Sequence, residues 1–223
     1  MINKIKVLLA SLVLVSFGSF SAKAIGFEGF SVGLTALWGE YEADGSETVG
    51  GVIESDEGAI EVQLGSVFIE ADMGPIAIGL DYIPFEADSE KATNARTANV
   101  NGDDGNQGTV DNHASVTIKD HVTLYALIKL ADTGIFAKVG GSQHTIETND
   151  NLATGGAYGD IDSYGWHYGV GYQHTSDDGM FIRLSANYHD YDEESAVNSN
   201  NSDISVKADL DGYSADLSVG KTF

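Results

Sequence analysis

Four of the six histidines, His121, His144, His167 and His189, fall at similar distances along four consecutive candidate strands, each counted from its nearest tight turn, and all share one phase. Imidazoles brought to one level can bind zinc or copper through neutral ring nitrogens, or take up protons near neutral pH. The alternative is a polar filling at the mouth of the fold. If Asp177-Asp178-Gly179 forms a three-residue hairpin loop, the register sets His167 directly opposite His189, with Cβ atoms about 5 Å apart. Other sets offer less. His113-Ala114-Ser115 places a base beside a hydroxyl, but in a long loop with no rigid frame and no acid to orient the base, so the chain is read as a non-enzyme. Asn99-Val100-Asn101-Gly102-Asp103-Asp104-Gly105 lacks the spacing and the closing glutamate of a calcium loop. The chain contains no cysteine, which removes thiolate zinc modules, disulfide scaffolds and thiol catalysis. A formal charge of −23 is the wrong sign for a nucleic-acid binder. No cofactor is implied.

Elements that could hold these groups follow from an apolar period of two. After Ile25 apolar residues recur at alternate positions between turn-rich segments, which predicts eight strands near 27–41, 58–71, 75–86, 116–131, 135–147, 161–175, 180–192 and 205–223. Three links are tight: Asp72-Met73-Gly74, Asp132-Thr133-Gly134 and Ser176-Asp177-Asp178-Gly179, each with a glycine for a positive φ. Four are long, near 42–57, 87–115, 148–160 and 193–204. Long and short links alternate, so all long loops lie at one end and both termini at the other. More than half of the 34 acidic residues fall in the long loops or their flanks. That concentration suits a hydrated cap, or a surface for divalent cations or a cationic partner.

The first 24 residues predict a leader rather than part of the fold. Lys4 and Lys6 precede the apolar run Val7–Phe20, and Ala22-Lys23-Ala24 is a small-x-small cleavage site. The exported domain is then 25–223. Strand faces alternate sharply: Met180, Ile182, Leu184, Ala186 and Tyr188 against Arg183, Ser185, Asn187 and His189. The pattern alone does not say which face meets water. Export, the even strand count, the loop asymmetry and strand lengths near those needed to span all favour apolar faces turned to lipid. The inward phase then holds Glu61, Asp81, Lys119, Lys129, Lys138, Arg183 and Asp216. Isolated charges there would be costly, so the cations are expected to pair with Glu61, Asp81 and Asp216, either as a plug or as an ion or proton path. Inward Gly33, Gly79, Gly140, Gly165, Gly169 and Gly171 are expected to leave small gaps. Strand 2 carries apolar residues in both phases, which suggests a bulge near Gly65.

In the last strand Tyr213, Leu217, Val219 and Phe223 share one face, and Phe223 is terminal. This strand resembles the assembly signal of bacterial outer-membrane proteins. The whole exported region is similar to the small eight-stranded barrels: the OmpA transmembrane domain, OmpX-like proteins and opacity-type surface proteins. Lys221 departs from the pattern, standing where an apolar residue is usual, and its stem could snorkel to the headgroups. The resemblance implies an all-β, antiparallel, up-and-down transmembrane barrel in the outer membrane of a Gram-negative bacterium. It also implies insertion by the barrel-assembly machinery, contact with membrane lipid and lipopolysaccharide, a single-chain state, and a structural or surface-interaction role. A narrow porin for small solutes is the alternative.

Overall fold

The computed structural model describes residues 26–89, 91–99, 107–152 and 156–223. The expected leader, and residues 100–105 of the segment weighed as a calcium loop, lie outside these. Eight long strands form the wall: β1 (Gly29–Val49), β2 (Val52–Asp72), β3 (Ile76–Ile83), β4 (Gln107–Lys129), β5 (Ile135–Asn151), β6 (Ile161–Thr175), β7 (Met180–Tyr191) and β8 (Ile204–Thr222). Each pairs antiparallel with the next, and β8 closes on β1 through a continuous register from Ser31↔Thr222 to Val49↔Ile204. Closure leaves no sheet edge where all eight strands run side by side. The expected all-β, eight-stranded antiparallel up-and-down barrel is the fold observed.

The wall is apolar outside. Trp166, Tyr168, Val170 and Tyr172 of β6 and Ile182 and Leu184 of β7 are half or more exposed, Val170 to 64%. Between them, Ser163, His167, Arg183 and Asn187 are buried. Leaving a large apolar side chain in water costs about 1.5–3 kcal/mol relative to burial, so a whole belt of them fits a lipid surround. The belt has two aromatic rims. Tyr168, Tyr188 and Tyr213 lie in one row across β6, β7 and β8, the last two rings 5.1 Å apart. At the other end Phe223 stacks on Phe30 at 5.0 Å and closes two backbone hydrogen bonds with it. From Tyr213 to Phe223 the strand has the length that crosses a bilayer core, about 9–11 residues. Leu217 and Val219 lie between them on the same outer face, and the Lys221 ammonium is 5.5 Å from the Phe223 ring centroid.

The three tight links form as expected, with Gly74, Gly134 and Gly179 at φ +82°, +78° and +83°. At the opposite end the expected loop at 42–57 is absent. β1 and β2 instead continue as one hairpin to Gly50-Gly51, both at positive φ (+56° and +85°), the two-residue turn whose twist matches the strands. The second long link is also ordered in part: Ala87–Asp88 and Ala92–Asn99 pair with an extended β4. His113 and Ser115 therefore sit on a strand, and His113 Nδ1 is 2.9 Å from the Thr93 hydroxyl. Glu194–Val197 pairs with β8 in the same way.

Candidate functional site: the barrel interior

Near the short-turn end one buried ion pair lies across the interior. Arg183 of β7 donates from Nη1 and Nη2 to Glu70 of β2 at 2.6 and 2.8 Å, and from Nε to Gln173 at 3.0 Å. Tyr125 donates its hydroxyl to Glu70 at 2.6 Å. The guanidinium carbon lies 5.1–5.4 Å from the ring centroids of Phe68, Phe136 and Phe181. Both partners are buried, and Glu70 receives three strong donors, the arrangement that a pair removed from water needs.

Glycines make the rings fit. Gly79, Gly171, Gly220 and Gly33 stand directly opposite Tyr125, Phe136, Phe181 and Phe68 on the neighbouring strands. A Cβ at Gly79 would come within 2.3 Å of the Tyr125 ring. Gly140 and Gly165 serve His167 and Tyr191 in the same way, and Gly169 serves Asn187. The gaps expected at the inward glycines are thus filled by the rings and side chains that lie across them.

The expected charge network is partly redrawn. Glu61 is exposed on the outer face of the hairpin, opposite Glu40, and takes no part. No bulge occurs near Gly65, because β1 and β2 pair without a register shift from end to end. Leu64, Ser66, Phe68 and Glu70 of β2 face inward, one phase away from Glu61. The bulge is in β4, between Lys119 and Val122, with Asp120 at φ +60°. It turns Ile118 rather than Lys119 into the interior cavity, and Lys119 pairs with Glu147. Lys129 pairs with Asp72 at the short-turn rim. Lys138 sits over the Tyr125 ring, 4.5 Å from its centroid, close enough for its charge to act on Asp81. Asp81 accepts a 2.7 Å bond from Ser66, and Asp216 accepts from Asn187 and Ser214 at 2.8 and 3.0 Å. None of Glu61, Asp81 and Asp216 is the partner of Arg183. That partner, Glu70, was hidden in sequence by the mixed phases of strand 2.

Above the plug the four histidines do come together. His167 faces His189 across β6 and β7 as the register requires, ring centroids 5.8 Å apart, and His121 stacks on His144 at 5.5 Å. Tyr41 and Tyr191 complete the layer, 5.4 Å from His189 and 4.9 Å from His144. They are not rim filling: His144 and His167 are 2% exposed. His189 Nε2 is 3.0 Å from the Ser214 hydroxyl. Both ring nitrogens of His144 and Nε2 of His167 have no hydrogen-bond partner among the described residues. Each such group costs about 1–3 kcal/mol when buried and unpaired. No three of the described histidine, aspartate or glutamate side chains are grouped to hold a metal ion. The rings instead line a cavity of about 100 Å³, together with apolar side chains and the charged Asp81, Lys138 and Asp216.

Comparison with solved structures finds likenesses at low sequence identity. One is the solid-state NMR structure of outer membrane protein AlkL in DMPC bilayers, 13% identical with a TM-score of 0.43, over 92% of this chain and 95% of that one. Another is Neisserial surface protein A, 10% identical with a TM-score of 0.41, over 87% of this chain and 97% of that one. A third is OprG from Pseudomonas aeruginosa, 12% identical with a TM-score of 0.38, over 88% of this chain and 99% of that one. No protein-family model matches the chain, and no curated protein matches it.

Proposed function

We propose that the chain is an integral protein of a Gram-negative outer membrane, exported through a leader cleaved after residue 24, with a structural or surface-interaction role and no catalysis. The observation that carries this reading is the Arg183–Glu70 pair set among aromatic rings across the interior, which supports a plugged barrel. An eight-stranded barrel is narrow enough for its own side chains to fill, and here Arg183, Glu70 and three phenylalanine rings lie across the interior at the short-turn end. What remains available to a macromolecular partner is the outside. The apolar belt would contact lipid and lipopolysaccharide, and the face carrying Tyr213, Leu217, Val219 and Phe223 would be presented to the barrel-assembly machinery. The long hairpin of β1 and β2 would stand beyond the membrane, with Glu40 opposite Glu61 and Glu47 opposite Glu54. Carboxylates so paired repel one another, and divalent cations or a cationic partner would relieve the repulsion.

The decisive experiment is conductance of the purified full chain in planar bilayers, with gel mobility before and after boiling to certify the folded barrel. A silent barrel that migrates differently after boiling is the expected result. Stepwise conductance in the unmodified chain would overturn the reading in favour of a narrow channel. Deletion in the native host should alter envelope integrity or adhesion, and turnover of lipid A or phospholipid by the purified protein would contradict the absence of catalysis.

A further inference from the structure

We infer that the cavity above the plug is a binding site for a small organic cation, an ammonium head on a compact apolar body. Charge and shape select that chemistry, and hydrogen bonding is compatible with it. His144 and His167 line the cavity and carry buried nitrogens with no partner among the described residues; a neutral imidazole has one N–H and one lone pair, so the layer keeps an unmet acceptor as well as an unmet donor, and an ammonium head would meet the acceptor.

Of the ionisable side chains lining the cavity, Arg183 is already matched by its bidentate partner Glu70. Asp81 and Asp216 then face the single ammonium of Lys138, which leaves the lining one negative charge in excess while the imidazoles are neutral. An anionic head would add to that excess, whereas a cationic head offsets it. Aromatic faces reinforce the preference, since the quadrupole of a tyrosine ring attracts cations and Lys138 already sits against Tyr125 in that geometry. Tyr41 and Tyr191 offer further rings at the level of the orphaned nitrogens.

The cavity, about 100 Å³, is of the order of a single ring, and its apolar lining includes Leu37, Val62, Leu64, Ile83 and Ile118. A ligand lying there would bury an apolar body against these side chains and point its head at the imidazole layer. The carboxylates of the β1–β2 hairpin, Glu40, Glu61, Glu47 and Glu54, would raise the local concentration of such a cation at that end. This site needs neither a conducting pore nor catalysis, so it stands apart from the surface role proposed above.

The test uses three ligands that share one ring and differ in head charge: benzylammonium, benzyl alcohol and benzoate. Each is titrated into the folded full chain in detergent micelles while the imidazole ¹⁵N and ¹³C resonances are followed. Benzylammonium is expected to give saturable shifts at His144 and His167, at least about tenfold tighter than benzoate, with benzyl alcohol between them. His144→Phe and His167→Phe keep the ring bulk and remove the nitrogens, and each should weaken benzylammonium about tenfold in a chain whose gel mobility is unchanged. Asp216→Asn should narrow the gap between benzylammonium and benzoate. Equal affinity for the three ligands would overturn the proposal, and so would undiminished binding in folded phenylalanine variants. Imidazole shifts produced by zinc sulfate alone, with none from benzylammonium, would replace it with a metal site. The three-ligand comparison in the unmodified chain decides the matter even if a variant fails to fold.

Discussion

The two halves of the barrel interior are built on opposite principles. In the lower half the Arg183 fork donates to Glu70 from both Nη atoms and to Gln173 from Nε and Nη2, and Glu70 also accepts from Tyr125. In the upper half, buried imidazoles are stacked on one another and on tyrosines, and three of their nitrogens have no partner among the described residues. Both halves use the same wall and the same device of glycine opposite a ring. The difference shows where the fold can bear a cost. A satisfied charge pair crosses the barrel at one level, while an under-satisfied polar layer lies next to a cavity at the other.

Substitutions can break or sharpen this contrast. The largest effect is expected at the plug. Arg183→Ala leaves Glu70 buried without its counter-charge and should lower stability by about 3–5 kcal/mol, read as a shift of the urea midpoint in lipid vesicles. Arg183→Met combined with Glu70→Leu should recover most of that loss, and failure to recover it would mean that the pair does more than neutralise itself. Next, Gly79→Ala brings a methyl into the Tyr125 ring and should cost about 1–3 kcal/mol, with relief when Tyr125→Ala is added. In the upper layer the sign reverses. His144→Phe removes two unpaired polar atoms and should leave stability unchanged or raise it by about 1 kcal/mol. A loss as large as that of Arg183→Ala would erase the distinction between the halves.

The smallest effect lies outside the membrane, in the link between β6 and β7. Asp178 is held below its usual carboxylate range by the Ser176 hydroxyl and then by the Met180 N–H. A depressed pKa contributes stability above the ordinary carboxylate value, and that contribution is lost as pH falls through the folded value. Ser176→Ala should therefore move the Asp178 titration up toward its ordinary value in an NMR pH series. The plug and the imidazole layer should be unaffected.

Much of the fold was legible because its causes are local. Strand 7 alternates Ile182 and Leu184 with Arg183 and Ser185, which is enough to assign its two faces. Gly74, Gly134 and Gly179 mark the tight links because a positive φ is easy only without a Cβ. The facing of His167 and His189 followed from a single turn length. β2 was not legible in this way. Val67 and Ile69 face out while Leu64 and Phe68 face in, so alternation gives no phase, and Glu61 was assigned to the wrong side of the wall. Asp120 made a second error of the same kind, since one extra residue in β4 reverses the facing of Lys119. Strand continuation to Gly50-Gly51 was hidden by the polar, acidic character of the hairpin. Such composition marks a loop unless a neighbouring strand pairs with it.

By itself, then, the sequence determined the period-two strands, the three tight turns, the apolar outer face and the inward facing of Arg183 and the four histidines. Each of these depends on neighbouring side chains or on the backbone freedom of one residue. Only the tertiary structure decided that Arg183 meets Glu70, that rings lie over glycines and that His144 is left without a partner. These outcomes depend on the register between strands far apart in the chain and on closure of β8 against β1. A shift of one residue in one strand changes every contact across it, and no local pattern carries that information.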